Sequence, residues 1–267
     1  MAIKEEKSLC LIASEKSINF DEGQIYVSKY LDTLLTKINN FKKDNFLYKI
    51  FSKKKSKEII GIYLYGGVGR GKSMMMDLFF HQVQIKDKRR LHFHDFMKEV
   101  HQRILEKRKI EKNKDTVLLV GQDLAKNAKL LCFDEMEVKD IADAMILSRL
   151  FEVMFEQGTI LVTTSNQPPD GLYKDGLHRD RILPFIKNLK LKTDVVKIPE
   201  GEDWRKRSLS GQKYWLNPDN KKNKEKINEI FKTLSKGFKI VSENLEVSGR
   251  QINIPEVAAG VARISFD

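Results

Sequence analysis

Residues 58–80 read EIIGIYLYGGVGRGKSMMMDLFF, and this stretch places three local signals in a fixed order. The apolar run Ile59–Tyr65 carries β-branched residues and tyrosines and predicts a strand. Gly66–Ser73 follows with the spacing G-x-x-x-x-G-K-S, which is typical of a phosphate-binding loop. Met74–Phe80 is rich in helix formers and predicts a helix. A strand, this loop and a helix in immediate succession form the Walker A unit of nucleotide-binding proteins.

Each part of the loop has a chemical task. Glycine adopts positive φ angles and lets the backbone approach phosphate oxygens closely. The loop N–H groups then face the anion, and the helix that begins near Lys72 adds the positive end of its dipole. We predict that Lys72 reaches the β- and γ-phosphates of a nucleoside triphosphate and that the Ser73 hydroxyl binds Mg²⁺. The residues predicted to contact the nucleotide are Gly66, Gly67, Val68, Gly69, Arg70, Gly71, Lys72 and Ser73.

The alternative interpretation of this loop is a glycine-rich turn that binds nothing. The agreement of strand, loop and helix argues against it. A dinucleotide fingerprint is excluded because the glycines lack the G-x-G-x-x-G spacing.

A second acidic motif follows a buried strand. Four apolar residues, Leu130–Phe133, predict a strand that is covered on both faces, as in a parallel sheet. Asp134 emerges at its carboxyl end, where ligands bind in open α/β sheets, and we predict that it holds Mg²⁺. Glu135 is then placed to polarise an attacking water, which favours a hydrolase. The alternative is an acidic turn that ends a core strand. A nucleotide kinase would leave Glu135 without an evident task.

The next strand, predicted over Thr159–Asn166, ends in a further polar side chain. Asn166 can orient the attacking water against the γ-phosphate, or it can be a turn residue, since Gln167–Gly171 has turn composition. Between this strand and the one predicted over Leu191–Ile198, an arginine can reach the γ-phosphate of a neighbouring subunit. The alternative is a surface salt bridge, and spacing does not choose among the arginines.

The remaining pattern predicts further helices and strands. A helix capped by Asp21 extends to Ile38, and the helix capped by Asp140 extends to Gln157. The buried stripe of the second of these is predicted to consist of Ile141, Met145, Ser148, Phe151 and Phe155. The other predicted elements are a strand over Arg90–Phe96, helices over Met97–Lys109, Gly121–Asn127 and Lys221–Lys236, and β segments over Phe238–Val241, Leu245–Val247, Gln251–Ile254 and Ala262–Phe266. His92 and His94 share one face of the predicted strand, where a structural or phosphate-proximal role is favoured over metal binding.

Composition bounds the class of protein. The 267 residues can form one large domain or a main domain with a smaller attachment. Cys10 and Cys132 form no metal-ligand spacing and indicate a reducing compartment. No signal peptide and no apolar run of the ~20 residues that span a bilayer is visible. We therefore expect a cytoplasmic protein.

The net charge of +12 leaves nucleic acid open as a partner. The charge is concentrated in lysine-rich runs such as Lys53–Lys57 and Lys221–Lys226. These runs lack the interleaved aromatic residues of a nucleic-acid-binding module. The alternative is that the lysines cover solvated faces and loops.

Residues 19–267 resemble the ZapE-type cell-division ATPases and their mitochondrial relatives, a branch of the AAA+ ATPases. The blocks that carry the resemblance are GIYLYGGVGRGKS, LHFHDFM, LLCFDEMEVKDIADAMILSRLF, TTSNQPPDGLYKDGLHRDRILPFI and the ending GVARISFD. The resemblance implies ATP and Mg²⁺ as ligands, Walker B at Asp134–Glu135 and sensor 1 at Asn166. It also implies that Arg179, in the G-L-x-R pattern, is the arginine finger. Arg181 falls on a variable position.

The family pattern continues beyond Phe266-Asp267 into a helical segment with a late arginine pair. The resemblance therefore implies that a sensor-2-type arginine and part of the lid are absent here. We expect the chain to assemble into a homo-oligomer only weakly for that reason.

The predicted fold is α/β, a P-loop AAA+ parallel sheet flanked by helices, with an extra strand between Walker A and Walker B and a smaller, incomplete C-terminal α+β segment. We expect a flexible N-terminus over 1–18, the nucleotide-binding core over 19–200 and a partial C-terminal region over 201–267. The leading function is Mg²⁺-dependent ATP hydrolysis that remodels a protein partner, by resemblance a component of the cell-division ring. The alternatives are a nucleic-acid-directed ATPase of the helicase-loader kind and a nucleotide-binding scaffold with little turnover.

Overall fold

A computed structural model describes residues 7–43, 60–200, 216, 220–235, 238–247 and 250–264. The chain divides into two compact units, a first unit over Met1–Ser208 and a second unit over Leu209–Asp267. The boundary between them lies outside the described residues. The predicted boundaries at residues 18/19 and 200/201 stay predictions.

The first unit is built on a parallel sheet of five strands. The strands are β1 (Gly61–Tyr65), β2 (Lys88–His92), β3 (Leu130–Asp134), β4 (Ile160–Ser165) and β5 (Thr193–Lys197). Their order across the sheet is β2-β3-β4-β1-β5, and all four neighbouring pairs are parallel. Strand β2 lies between Walker A and Walker B in the sequence and at one edge in space. The predicted parallel sheet with an extra strand is confirmed.

Helices cover both faces of this sheet. They are α1 (Leu9–Glu15), α2 (Glu22–Lys43), α3 (Lys72–Gln82), α4 (Phe93–Ile110), α5 (Thr116–Asn127), α6 (Ile141–Glu156) and α7 (Leu183–Lys192). Alternate strand residues point to opposite faces. Ile62 and Cys132 therefore belong to a core shared with α1, α2 and α3, whereas Tyr63 and Phe133 belong to a core shared with α4 to α7.

The expectation of a flexible N-terminus over 1–18 is wrong for Leu9–Glu15, which forms α1. The Ser8 side chain caps this helix, and the Leu9 N–H donates to Asp32 Oδ1 at 2.9 Å. Leu9 is fully buried and Ile12 nearly so. Burial against α2, which the local sequence does not reveal, stabilises a helix too short to form alone. Residues 1–6 lie outside the described part of the chain.

The strand predicted over Arg90–Phe96 is also wrong beyond His92, because α4 begins at Phe93. Phe93, Phe96 and Met97 follow the helical spacing, and all three are buried. The Phe93 ring packs edge-on against Phe133 at a centroid distance of 5.7 Å. The residues described contain no group of three His, Cys, Asp or Glu side chains that could hold a metal.

Three other elements differ in detail from the prediction. Helix α5 begins at Thr116 rather than Gly121, because the Asp115 side chain caps it by accepting from the N–H groups of Val117 and Leu118. Strand β5 starts only at Thr193, since the preceding residues belong to α7. In α6 the predicted stripe is wrong at Met145, which is 46% exposed. The residues that α6 buries are Ala144, Leu147, Leu150, Phe151, Met154 and Phe155.

The second unit contains the helix α8 (Lys221–Leu234) and a smaller antiparallel sheet. Its strands are β6 (Val241–Val247), β7 (Arg250–Ala258) and β8 (Val261–Arg263), in that order across the sheet. Val247 pairs with Arg250, as a tight hairpin requires, although Ser248 and Gly249 themselves lie outside the described residues. The predicted C-terminal α+β segment is confirmed, but the β segments predicted over Phe238–Val241 and Leu245–Val247 form a single strand, β6, which begins only at Val241.

Within the described ranges, no helix is both long and apolar enough to span a bilayer. The cytoplasmic location stays a prediction.

Candidate functional site

The loop that joins β1 to α3 depends on glycine at two positions. Gly69 and Gly71 have φ angles of 77° and 75°, in the left-handed region that other residues rarely adopt. A Cβ atom on Gly71 would also lie 2.6 Å from Gln24 Nε2. The Gly71 carbonyl accepts from Met75 N at 3.0 Å and so begins α3 directly after the loop.

Lys72 brings two segments of the predicted site together. Its Nζ donates to the carbonyl oxygens of Gly66 and Gly67, both at 2.7 Å, and to Asn166 Oδ1 at 2.9 Å. The lysine is only 8% exposed, so its charge depends on these oxygens in place of water. The structure thus places the Walker A lysine beside the polar side chain that follows β4.

A single hydroxyl organises the carboxyl end of β3. Thr164 Oγ1 accepts from Glu135 N at 3.0 Å and donates to Asp134 Oδ1 at 3.3 Å. Glu135 has a φ angle of 55°, which is unfavourable for a residue with a side chain. Thr164 is fully buried, whereas the Glu135 side chain is exposed. The turn at Glu135 therefore points its carboxylate away from the core while Asp134 remains at the strand end.

The end of β4 is fixed by further buried contacts. The Tyr63 hydroxyl donates to the Gln167 carbonyl at 2.9 Å, and Ser165 Oγ donates to the Met136 carbonyl at 2.9 Å. Burial raises the pKa of Tyr63 to about 12, which keeps its hydroxyl neutral and able to donate. These bonds fix the backbone on either side of Asn166.

Arg90, which the sequence analysis did not single out, contacts the Walker B aspartate. Its Nη2 donates to Asp134 Oδ2 at 2.5 Å and to the Ser73 carbonyl at 3.3 Å, and its Nη1 pairs with Asp77. Arg90 lies on β2, next to β3, and its register partner is Cys132. No sequence signal distinguishes it from its basic neighbours, because only the strand pairing brings it to Asp134.

The predicted phosphate loop opens into a cavity of about 290 Å³. The cavity is lined by Ile18, Asn19, Gln24, Val68, Gly69, Arg70, Gly71, Lys72, Ser73, Met74, Glu135 and Asn166. Ile18 and Asn19 lie in the segment that leads into α2, and Gln24 lies in the first turn of that helix. No sequence motif marks these three residues. Gly66, Gly67 and Asp134 are not among the lining residues, and the carbonyls of the two glycines accept from Lys72 instead.

The loop is fastened to α2 through Arg70. Its guanidinium pairs with Asp21 at 2.9 Å, and its carbonyl accepts from Gln24 Nε2 at 3.2 Å. Arg70 is 5% exposed. The guanidinium of this predicted nucleotide contact thus pairs with Asp21, while its carbonyl ties the loop to Gln24 of α2.

Ser73, which lines the cavity, and Asp134, which is held near Ser73, fit Mg²⁺ bound together with a triphosphate. Ser73 is exposed at the first turn of α3, and Asp134 is held near it, since Arg90 Nη2 contacts both the Ser73 carbonyl and the Asp134 carboxylate. Hydroxyl and carboxylate oxygens suit this ion, which usually takes few protein ligands and completes its shell with water and phosphate.

Arg179 is not brought together with the other predicted site residues. It starts a 3₁₀ turn over Arg179–Arg181, and its guanidinium donates to the Asp170 carbonyl at 2.5 Å. It does not line the cavity. Arg181 faces Asp180 at 3.7 Å and is 60% exposed at its side chain.

The amino-acid sequence of this chain is similar to those of several known proteins. Residues 10–267 match the family described as AFG1-like ATPase. The chain is 40% identical over 220 residues to lactation elevated protein 1 homolog B of Danio rerio, covering 77% of this chain and 43% of that protein. It is 37% identical over 206 residues to cell division protein ZapE of Escherichia coli strain K12, covering 77% of this chain and 54% of that protein. The chain spans about half the length of these curated relatives.

Among solved structures, the chain is similar to the replication initiator DnaA bound to AMPPCP and single-stranded DNA. The TM-score is 0.49 at 14% identity, and the match covers 84% of this chain and 65% of that chain. The DnaC helicase loader matches with a TM-score of 0.41 at 12% identity, covering 67% of this chain and 92% of that chain.

The two neighbouring threonines of β4 offer a matched test of the β3 turn. Thr164→Val removes the acceptor of the Glu135 N–H and the donor to Asp134, and we expect a loss of about 1–3 kcal/mol in the free energy of unfolding. Thr163→Val should cost less, because the equally buried Thr163 hydroxyl makes only a 3.5 Å contact with the Thr164 carbonyl. Urea unfolding followed by circular dichroism measures both. Equal losses would contradict the role given to Thr164.

Proposed function

The chain belongs to the AFG1-like ATPase family, and from that premise we propose that its first unit binds Mg²⁺ and ATP and hydrolyses the γ-phosphate. The observation that carries the proposal is the contact between Lys72 and Asn166 in a cavity that Glu135 also lines. This contact joins a phosphate-binding cation, a polar side chain and a carboxylate around one space. Such a set can bind a triphosphate and direct a water at it.

Binding rests on the phosphate loop. The buried Lys72 ammonium is held by carbonyl and amide oxygens, and phosphate oxygens would replace some of these partners with charged ones. The loop N–H groups and the start of α3 add positive potential at the same place. Ile18 and Asn19 border the cavity beyond the loop, so we assign the base and ribose to that side.

Hydrolysis requires a base and an oriented water. Glu135 would accept a proton from the water as its oxygen bonds to the γ-phosphorus, and the bond from phosphorus to the β,γ-bridging oxygen would break to leave ADP. Asn166 would hold that water by its amide while remaining near Lys72. Ser73 and Asp134 would hold Mg²⁺, which neutralises charge on the phosphates when bound.

Arg179 lies outside the cavity of its own chain, which supports a role in a neighbouring subunit. We infer that the active species is a homo-oligomer in which this arginine completes the adjacent site. One relative is named cell division protein ZapE. This similarity supports the proposal that ATP turnover acts on a protein partner of cell division. Because the chain spans about half of that relative, the partner is part of this proposal.

A nucleic-acid-directed ATPase is the second candidate, and the net charge of +12 favours it. Exposed lysines of α8 contribute to that charge, since Phe231 is its one residue that is clearly buried among those described. If DNA stimulates ATP turnover, and this stimulation falls steeply as salt is added, the result would favour this candidate over a protein partner.

Glu135→Gln tests the assigned base. We expect unchanged ATP affinity and hydrolysis slower by roughly a hundredfold or more, because a carboxamide cannot accept the proton from water. Glu137→Gln is the matched control, since Glu137 pairs with Lys139 at 2.9 Å and does not line the cavity. Phosphate release measures the hydrolysis rate, and a fluorescent-nucleotide titration measures the ATP affinity.

If Glu135→Gln turns over at the parental rate, Glu135 has no part in the reaction. If the parent chain binds ATP without measurable turnover under all conditions, the scaffold alternative replaces hydrolysis.

Mixing variants tests Arg179 as a residue that acts on a neighbouring subunit. Arg179→Ala alone should lower turnover by ~10³-fold or more, the loss seen for arginine fingers. An equal mixture with Glu135→Gln should regain activity, because some interfaces then combine an intact Glu135 with an intact Arg179. Arg181→Ala, two residues further along the same 3₁₀ turn and exposed, serves as the control. A mixture no more active than its components would contradict the assignment.

A further inference from the structure

Arg90 contacts both residues of the predicted metal site, Ser73 and Asp134. Its guanidinium lies between Asp77 of α3 and Asp134 of β3, and Nη2 also contacts the Ser73 carbonyl at 3.3 Å. The side chain of Arg90 is 20% exposed and that of Asp134 is 7% exposed. A charge pair this far removed from water depends on its partner, because an isolated carboxylate there would be strongly disfavoured.

Both oxygens of the Asp134 carboxylate, through which a metal would be held, already accept from a donor. Asp134 Oδ1 accepts from Thr164 Oγ1 at 3.3 Å, and Oδ2 accepts from Arg90 at 2.5 Å. A guanidinium stays charged at any physiological pH. A divalent cation that approaches Asp134, directly or through a water, would therefore meet a fixed positive charge at the same carboxylate.

Asp77 gives the arginine a second partner. It pairs with Nη1, while Asp134 pairs with Nη2, and its side chain is 47% exposed. Arg90 can release Asp134 and still keep one ion pair. With Arg90 present, the two carboxylates and the guanidinium carry a net charge of about −1. Without it, they would carry about −2 and attract a dication more strongly.

We propose that Arg90 is the resting counter-ion of Asp134, that it competes with Mg²⁺ for this carboxylate, and that Asp77 retains it when the metal binds. This inference rests on the proposed function, because the metal enters together with a nucleotide. Arg90 is thus a positioning residue that sets the metal affinity of the site. The same contact satisfies the buried Asp134 carboxylate.

The direct test is Mn²⁺ binding, followed by electron paramagnetic resonance, in the presence of a non-hydrolysable ATP analogue. Arg90→Gln should bind Mn²⁺ roughly ten- to a hundredfold more tightly than the parent, the range by which groups around a metal ligand change affinity. Asp77→Asn should bind it more weakly, because Arg90 then has Asp134 as its remaining carboxylate. Arg90→Lys keeps the charge and should stay near the parent.

Arg89→Gln is the matched control. Arg89 is the neighbouring residue of β2, points to the opposite face and pairs with Glu99 at 2.6 Å. Its loss should leave Mn²⁺ affinity unchanged. Thermal unfolding without metal checks that each variant folds, and Arg90→Gln should melt below Arg89→Gln because Asp134 loses its charged partner and keeps only the Thr164 hydroxyl.

The outcomes separate this inference from the proposed function. Weaker or unchanged Mn²⁺ binding in a folded Arg90→Gln protein would show that Arg90 does not compete with the metal for Asp134. The arginine would then only hold Asp134 in place or pack against it. An analogue titration in EDTA, made before metal is added, tests nucleotide binding by itself. A parent protein that binds no nucleotide with or without metal would overturn the proposed function and this inference with it.

Discussion

The buried ammonium of Lys72 is the interaction on which the site depends. A charge this poorly exposed requires oxygen partners, and it takes them from the Gly66 and Gly67 carbonyls and from Asn166. Those partners come from the end of β1 and the end of β4, which are neighbours in the sheet. The parallel order of the strands brings the ends to one edge, and the lysine then ties them together. The same atoms that satisfy the lysine define the space in which phosphate would replace them.

A second electrostatic arrangement lies beside the first. Asp134 sits between a hydroxyl and a guanidinium, both supplied by adjacent strands. Thr164 also holds the main chain of Glu135 in its left-handed turn, so one hydroxyl sets the direction of two carboxylates. The positive charges of Lys72 and Arg90 and the negative charges of Asp134 and Glu135 thus all lie at this end of the sheet. A ligand that carries phosphates and a divalent cation matches this mixture of charges.

The sequence predicted the parallel sheet, Walker A, Asp134, Glu135 and Asn166, because each motif follows directly on a buried strand, and strand ends share an edge. It missed Arg90 and Thr164, whose partners are distant in sequence and are reached only through strand pairing. Ile18 and Asn19 were missed for a related reason. They follow α1, whose seven residues do not predict a helix because burial against the rest of the unit stabilises it. The helix at Phe93 was mistaken for a strand because HFHDF alternates with period two as well as fitting a helical face. The roles of the site residues stay predictions.

An ATP titration of Lys72→Ala shows whether the surroundings of Lys72 bind nucleotide phosphates. The control is Lys139→Ala, which removes an exposed lysine paired with Glu137. We expect affinity weaker by roughly a hundredfold in Lys72→Ala, as for lost hydrogen bonds to a charged group, and no change in the control. If a folded Lys72→Ala protein binds ATP as tightly as the parent, the phosphates do not bind at Lys72.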